Sequence, residues 1–365
     1  MKVMHFTAGF VNGGVEQVLL NYTGKINKEY DVSESIVYLH KADAEKEKLS
    51  KQLGNKMYQI PARRENFFGN LKATYKLIKQ ERPDIVHSHM SLMNFFPLTI
   101  AKILGVPVRV SHSHLAKSGN DSIKDKIYKK LTKWSANELV ACGEEAGKYL
   151  YGDEKFNILF NAVDQKKYQF NQEARLKVRE KYNIPKNAFL IGNIGRIIKQ
   201  KNQIFLVKIF DEFYKYHPDS YLMIIGKGEK DQNGESELDD YIKSRNSASH
   251  IIRVSSVKSA DKFYSAFDVF TMPSLYEGLP VVAIEAQASG IPTVLSKSID
   301  KSVVFSEKVD LVSINDGIEP WIEKLGFWKE QKVNRTFTGN DNYNINVQYK
   351  KLFNWYSSWL KKYSK

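Results

Sequence analysis

The chain has 365 residues, enough for two or three domains of about 150 residues, and with 42% hydrophobic and 26% charged residues it has an ordinary globular composition. Lysine and arginine outnumber aspartate and glutamate by 55 to 41, which gives a formal charge of +14. The single cysteine, Cys142, excludes a disulfide framework and a cysteine-based zinc site, and no run of about 18 apolar residues is present that would span a membrane.

Short β-rich runs alternate with helical patterns along the whole chain. Strands are predicted at 2–7, 33–39, 57–60, 85–88, 108–111, 138–141, 189–193, 221–225, 251–254, 269–271 and 293–295. Most of the gaps between them have room for one helix, for example at 15–25, 71–80, 203–216 and 260–266. This alternation predicts parallel sheets with crossover helices.

Eleven strands are too many for one open sheet at this spacing, and the polar, charged stretch at 164–187 provides a natural break. The predicted fold class is therefore α/β, with two doubly wound, Rossmann-like domains at 1–165 and 186–340. Ligands in such folds bind beyond the carboxyl ends of the strands, so we expect the site in a cleft between the two domains.

A glycine-rich turn, Gly9-Phe-Val-Asn-Gly-Gly-Val-Glu16, separates the first predicted strand from an amphipathic helix. Gly13 and Gly14 would allow the backbone to approach an anion closely. A tight turn without a ligand explains the pattern equally well. The turn lacks the Gly-Lys-Ser/Thr ending of a Walker loop.

Two histidine pairs, His87/His89 and His112/His114, each follow an apolar run. Side chains two residues apart on a strand share one face, which would suit metal ligation. No third ligand at a suitable spacing is evident in the sequence, so we predict no metal site.

Two basic segments, 124–134 and 349–365, have apolar residues at helical spacing. The first contains five lysines between Lys124 and Lys133. Solvated helix faces and contact with an anionic bilayer explain the two segments equally well. The chain has no unbroken basic tail and no Gly-Arg repeat, so we predict no nucleic-acid partner.

A strand, a turn with two glycines and a helix are predicted at 191–216, and Arg196 and Lys201 follow the strand at its carboxyl edge. Cations at this place would face a polyphosphate, although basic residues after a strand are usually solvated. The pattern Gly-x-Gly-x-x-Gly is incomplete both here and at Gly226-Lys-Gly228, so the fingerprint of nicotinamide cofactors is absent.

The most specific local signal lies at 272–296, where a loop precedes a short helix predicted from near Val281 to Gly290. Glu277 lies in the loop, and Glu285 lies about one turn inside the helix. A helix N-terminus suits a phosphate and carboxylates suit diols, so the segment indicates a nucleotide sugar. A capping glutamate and a solvated glutamate explain the spacing equally well.

Taken together, these segments resemble family 4 of the retaining glycosyltransferases, which have the two-domain GT-B architecture. The resemblance runs over nearly the whole chain. It is carried by residues 13–16, 82–89, 109–114, 141–146 and 161–164, by Gly195-Arg196 with Lys201, and by the Glu-x7-Glu pair Glu277/Glu285. The His-Ser-His and Ala-Cys-Gly-Glu segments are most similar to the branch that builds bacterial capsular and exopolysaccharides.

The resemblance implies a role for each motif residue. A histidine, either His112 or His114, would lie at the reacting centre, and Glu277 would hold hydroxyl groups of the transferred sugar. Arg196, Lys201 and the Gly13-Gly14 turn would bind the diphosphate of the donor. The N–H groups of Gly278 and Leu279 would bind its sugar-phosphate end, and Glu285 would bind its ribose. Ser256 stands where a glycine is usual in the base-binding turn, which leaves the nucleobase open.

The implied activity is retaining transfer of a hexosyl or N-acetylhexosaminyl group from a nucleoside-diphosphate sugar, expected to be a UDP-sugar. The expected acceptor is a growing polyprenyl-diphosphate-linked glycan of capsular or exopolysaccharide synthesis, and no cofactor or metal is expected. The protein would be cytoplasmic, with peripheral contact at the inner face of the membrane through 124–133. The C-terminal helix, at about 345–365, would complete the first domain.

Two other functions share this fold. A UDP-sugar 2-epimerase would use the same donor, but the Glu-x7-Glu context and the histidine pairs favour transfer. A non-catalytic partner subunit would be expected to lose Arg196, Lys201, Glu277 or Glu285, and all four are present.

Overall fold

Parallel β-strands alternate with α-helices in the computed structural model, which describes residues 1–11, 13–115, 121–228, 234–255, 257, 259–337 and 339–364. The chain forms two units, Met1–Val163 with Asp341–Lys365 and Asp164–Asn340. No helix of the described ranges is long and apolar enough to cross a membrane.

The first unit is built on a parallel sheet of seven strands. These are β1 (Lys2–Thr7), β2 (Ser33–Tyr38), β3 (Lys56–Gln59), β4 (Ile85–Ser88), β5 (Val108–Ser113), β6 (Glu138–Ala141) and β7 (Asn157–Ile158). The sheet has the order β3-β2-β1-β4-β5-β6-β7. Its helices are α1 (Gly14–Glu29), α2 (Ala44–Gln52), α3 (Phe67–Glu81), α4 (Phe95–Ile103), α5 (Ile123–Ser135) and α6 (Glu144–Tyr151).

The second unit is built on a parallel sheet of six strands. These are β8 (Phe189–Ile194), β9 (Ser220–Ile225), β10 (Ile251–Val254), β11 (Val269–Met272), β12 (Thr293–Ser296) and β13 (Val309–Val312). The sheet has the order β10-β9-β8-β11-β12-β13. Its helices are α7 (Gln172–Lys181), α8 (Gln203–Tyr216), α9 (Gly234–Lys243), α10 (Asp261–Ala266), α11 (Val281–Ala288) and α12 (Glu319–Glu330).

The last helix, α13 (Ile345–Tyr363), returns to the first unit. Tyr349, Leu352, Tyr356 and Trp359 are buried along one face of this helix, at the spacing of an amphipathic helix. Packing within the unit therefore accounts for the aromatic face that the sequence shows near the C-terminus.

Both sheets are covered by helices, which explains why their strands are near-continuous apolar runs. In the second unit, Ile191 of β8 and Leu222 of β9 pack in one core with Phe210 of α8 and Trp321 of α12, all of them fully buried. This arrangement confirms the predicted α/β class with doubly wound sheets.

The strand order places a topological switch point in each sheet. The chain leaves in opposite directions from β1 and β4 in the first sheet, and from β8 and β11 in the second. A crevice opens beyond the carboxyl ends of the strands at such a point, and ligands bind there in doubly wound folds. The loops after these four strands are therefore the places where functional residues are expected.

Candidate active site

The loops that follow β8 and β11 are tied together by hydrogen bonds. The backbone N–H of Leu275 donates to the carbonyl oxygen of Gln200 at 2.8 Å, and the Gln200 side-chain amide donates to the carbonyl oxygen of Tyr276 at 2.9 Å. The side-chain amide of Asn202 donates to the carbonyl oxygen of Pro273 at 3.2 Å. The switch point of the second sheet thus has a fixed backbone on both sides.

An ion pair between Lys201 and Glu277 joins the same two loops. The ammonium Nζ of Lys201 lies 2.6 Å from Oε1 of Glu277, and the two side chains are only 14% and 11% exposed. Lys201 ends one turn of 3-10 helix, and Glu277 forms an isolated parallel bridge with Ile299. A cation and a carboxylate that were predicted to face the same ligand therefore lie side by side.

Arg196 follows β8 directly after Gly195 and is exposed. The carbonyl oxygen of Arg196 accepts a hydrogen bond from the side-chain amide of Gln203 at 2.9 Å, which fixes the backbone at this point. Gly226, after β9, approaches the same turn so closely that a Cβ atom on it would lie 1.8 Å from the carbonyl oxygen of Gly195. Only glycine permits that approach without moving the Gly195 backbone.

Glu285 is buried inside α11 and accepts hydrogen bonds from two tyrosines. Tyr168 donates to Oε1 and Tyr264 donates to Oε2, each at 2.7 Å. Burial, reinforced by the Glu285 carboxylate, raises the pKa of both tyrosines well above the usual value, so their hydroxyls stay protonated and donate. A carboxylate accepts up to about four hydrogen bonds, so these contacts are compatible with further bonds to ligand hydroxyls.

The start of α11 suits an anion. Gly278 and Leu279 are buried directly before it, and its N-cap residue is Pro280, with no side-chain cap. The first N–H groups of a helix have no partner within the helix, and they carry the positive end of its dipole. The helix ends at Ala288, two residues before the predicted Gly290.

The glycine-rich turn after β1 forms the start of α1. Gly13 is the N-cap residue and Gly14 is the first helical residue. The carboxylate of Glu16 lies so close to Gly13 that a Cβ atom there would be 2.2 Å from its Oε2. This carboxylate has the same charge as the diphosphate that the resemblance assigns to the turn.

His112 and His114 lie at the carboxyl end of β5, His112 inside the strand and His114 directly after it. Their ring centroids are 4.0 Å apart. His87 and His89 of the second pair lie beside them at the end of β4, and His5 of β1 completes a cluster of five imidazoles. His5 was not predicted as a site residue from the sequence, because its place beside His87 depends on the pairing of β1 with β4.

The structure therefore brings the predicted residues into two groups, one in each unit. The first unit holds the Gly13-Gly14 turn, His112 and His114; the second holds Arg196, Lys201, Glu277, Gly278, Leu279 and Glu285. Ser256 lies outside the described residues. Tyr168 and Tyr264 were not found from the sequence, where single tyrosines cannot be told from core residues.

Comparison with known proteins identifies the family. Residues 12–167 match the model of Glycosyltransferase Family 4, and residues 174–331 match that of Glycosyl transferases group 1. The chain belongs to the family 4 glycosyltransferases. The resemblance stated from the motifs is thereby confirmed.

Relatives of this glycosyltransferase align with it over most of its length. The putative glycosyltransferase EpsF of Bacillus subtilis is 29% identical over 343 residues, which are 89% of this chain and 86% of EpsF. The UDP-Gal:alpha-D-GlcNAc-diphosphoundecaprenol alpha-1,3-galactosyltransferase of Escherichia coli is 29% identical over 72% of this chain and 71% of its own. The capsular polysaccharide biosynthesis glycosyltransferase CapM of Staphylococcus aureus is 25% identical over 85% of this chain and 87% of its own.

A solved structure, that of Anabaena Alr3699/HepE in complex with UDP and glucose, matches the glycosyltransferase with a TM-score of 0.84. The match covers 98% of this chain and 100% of HepE at 15% identity, so it is evidence for the fold alone. The GT-B fold predicted from the sequence is confirmed.

Proposed function

We propose that this glycosyltransferase moves a hexosyl or N-acetylhexosaminyl group from a UDP-sugar to a polyprenyl-diphosphate-linked glycan in capsule or exopolysaccharide synthesis. We further propose that transfer retains the anomeric configuration and needs no metal ion. The observation that carries the proposal is the Lys201–Glu277 pair, which lies at the switch point of the second sheet, where Lys201 shares the loop after β8 with Arg196.

Charge is the main reason for assigning a nucleoside-diphosphate donor. Breaking the bond between a sugar and a diphosphate develops negative charge on the leaving phosphate. Lys201 and Arg196, together with the N–H groups at the start of α11, would stabilise that charge by preorganised electrostatics. In this arrangement two side chains supply the positive charge for which other enzymes use a divalent cation.

A second reason for assigning a nucleoside-diphosphate donor is the buried carboxylate of Glu285, which suits the ribose diol. Its orientation is fixed by Tyr168 and Tyr264, so it offers its oxygens in one geometry. Glu277, on the other side of the start of α11, is the carboxylate that would contact the transferred sugar. These roles are carried over from the family by position in the Glu-x7-Glu motif.

The family also supplies the proposed stereochemistry. In the retaining mechanism of the family, the acceptor hydroxyl attacks the face from which the phosphate departs, and that phosphate accepts the proton. The names of the E. coli galactosyltransferase and of CapM support a UDP-sugar donor, a diphosphopolyprenol-linked acceptor and a capsular product.

A binding experiment tests the donor. Without added metal and with EDTA present, we expect a UDP-sugar to stabilise the protein by about 2.7 kcal/mol at 100 times its Kd, read as a thermal shift. Arg196→Ala and Glu285→Gln should abolish the shift, whereas Lys199→Ala, an exposed lysine of the same loop, should keep it.

Product analysis separates the alternatives. Release of UDP with a lengthened, α-configured glycan supports the proposal. A new UDP-sugar epimer without UDP release would show a 2-epimerase instead. Absence of binding by any nucleotide sugar to folded protein would make a partner-dependent subunit the better explanation.

Peripheral membrane contact is proposed for the exposed face of α5. Ile123, Ile127 and Trp134 on this helix are 80%, 50% and 56% exposed. Lys129 and Lys133 form ion pairs with Asp121 and Glu154, whereas Lys124, Lys126 and Lys130 are exposed. Exposed apolar side chains flanked by lysines are typical of helices that lie in an anionic interface.

Liposome sedimentation tests this surface. The triple change Lys124→Glu, Lys126→Glu and Lys130→Glu should weaken binding to anionic vesicles strongly, because each lysine near the surface contributes about 1 kcal/mol. A matched change of three exposed lysines elsewhere, Lys166→Glu, Lys186→Glu and Lys332→Glu, alters the net charge equally and should have little effect. Equal losses in both triples would mean that net charge alone drives binding, and unchanged binding in the first triple would refute the surface.

A further inference from the structure

Four side chains of the first unit form one continuous hydrogen-bonded chain. Oε1 of Glu34 lies 3.3 Å from Nε2 of His5, and Nδ1 of His5 lies 3.1 Å from Nε2 of His89. Nδ1 of His89 lies 3.0 Å from Nε2 of His114. The chain runs across β2, β1, the end of β4 and the end of β5, so neighbouring strands supply its successive members.

The histidines nearest the outer end of this chain are uncharged at neutral pH. Burial, reinforced by the neighbouring imidazoles, lowers the pKa of His89 well below its usual value, and burial lowers the pKa of His114 to about 3. A neutral imidazole has one N–H, so one ring nitrogen donates and the other accepts. The bond made by one nitrogen therefore decides which tautomer the ring adopts.

A carboxylate at the inner end can set the direction of the chain. The side chains of Glu34 and His5 are 0% and 2% exposed, so water does not compete for their contact. A carboxylate that accepts from a singly protonated His5 requires His5 to donate through Nε2 and to accept through Nδ1. In that state His89 donates from Nε2 and accepts at Nδ1, His114 donates from Nε2, and Nδ1 of His114 is unprotonated. A His5 protonated on both nitrogens would reverse this direction.

The outer end of the chain lacks a partner. Nδ1 of His114 is buried and has no hydrogen-bond partner among the described residues. A buried acceptor without a donor costs free energy, so such an atom is expected to take its partner from a ligand. The ligand group must donate a hydrogen bond, and a hydroxyl group is the donor that a sugar offers.

We propose that Glu34 is a positioning residue, which acts through His5 and His89 to hold His114 as a hydrogen-bond acceptor for a sugar hydroxyl. This role of Glu34 extends the proposed function. Only one part of it rests on the proposed function, namely that the ligand hydroxyl belongs to a sugar. The proposal also distinguishes His112 from His114, which the sequence left equivalent, because only His114 would have its tautomer set by a carboxylate.

His112 belongs to a second chain whose direction is not imposed. Nδ1 of His112 lies 3.2 Å from Nε2 of His87, and Nδ1 of His87 lies 2.6 Å from the hydroxyl of Tyr356. A tyrosine hydroxyl can donate or accept, so either tautomer of His112 is compatible with it. This chain provides a control, since Tyr356 is as buried as Glu34 and adjoins the same imidazole cluster.

Nitrogen NMR of the full-length, ligand-free protein tests the proposal without reference to activity. With selectively ¹⁵N-labelled histidine, we expect His5, His89 and His114 all to be Nε2–H tautomers. Glu34→Met removes the terminal acceptor and should move the proton of His114 to Nδ1. Tyr356→Phe should leave His114 unchanged.

The outcomes are decisive in each case. A wild-type His114 protonated at Nδ1, or a wild-type His5 protonated on both nitrogens, would overturn the proposal even if no variant folds. A Glu34→Met protein whose His114 is unaltered would also overturn it. Stoichiometric metal in the purified protein, with these ring nitrogens coordinated, would overturn it too. In transfer assays Glu34→Met should lower kcat/KM by roughly tenfold, the usual cost of one lost hydrogen bond. If no nucleotide sugar binds while the tautomers are as expected, the chain stands and the proposed function fails.

Discussion

Replacing Lys201 with alanine should lower the turnover of sugar transfer by about 10²–10³-fold, the usual cost of removing one preorganised group that stabilises developing charge. The ammonium lies 2.6 Å from Glu277 and is only 14% exposed, so bulk water screens it weakly. Steady-state kinetics with a saturating donor would measure the loss. Lys199→Ala is the matched control, since Lys199 belongs to the same turn and is exposed.

A double-mutant cycle separates two explanations for that loss. Lys201 could act on the leaving diphosphate, or it could act only by holding Glu277. In the second case Lys201→Ala would have no further effect in a Glu277→Ala background, because the two changes would remove one interaction. We expect a further loss of turnover in the double variant, and its absence would refute a direct role for Lys201.

The course of the chain was largely predictable from hydrophobic pattern. Every predicted strand lies within two residues of an observed one. The two strands that were missed, β7 and β13, both lie at a sheet edge. β7 has two residues and β13 contains Asp310, so neither has the continuous apolar run by which a strand covered on both faces is recognised.

The chemistry of the second unit was only partly predictable. Lys201 and Glu277 were each found from the sequence, but not their ion pair, because it requires β8 and β11 to be neighbours in the sheet. That neighbourhood is a property of strand order, which local patterns do not encode. Tyr168 lies in a stretch interpreted as a polar break between domains, and a single tyrosine there gives no sign of a contact with Glu285.

The contacts within the histidine cluster also depend on strand order and could not be predicted from local sequence patterns. The spacing of His87/His89 and of His112/His114 was visible in the sequence, but their contacts depend on the parallel order β1-β4-β5. Glu34 lies on β2, beyond β1, and so joins the cluster through His5 alone. Any one-dimensional search for metal or catalytic spacing would miss a carboxylate placed in this way.

A matched pair of glycine substitutions tests how closely the turn that holds Arg196 depends on its neighbour. Gly226→Ala would place a Cβ atom 1.8 Å from the carbonyl oxygen of Gly195, a backbone atom that cannot rotate away. We expect a loss of about 1–3 kcal/mol in the free energy of unfolding from overpacking. Because the displaced residue adjoins Arg196, turnover should also fall about 10²-fold, the cost of a misplacement of roughly 1 Å.

The control is Gly326→Ala in α12. Apart from its chain neighbours and the backbone of its own helix, no heavy atom of the described residues lies within 4 Å of the new Cβ. Alanine is favoured over glycine inside a helix, so this change should raise the free energy of unfolding by up to about 1 kcal/mol and leave turnover unaltered. Urea denaturation would show the opposite changes in the free energy of unfolding of the two variants, and steady-state kinetics would show the loss of turnover in Gly226→Ala alone. A Gly226→Ala protein with wild-type stability and wild-type turnover would mean that the Gly195 turn yields freely and does not hold Arg196 in place.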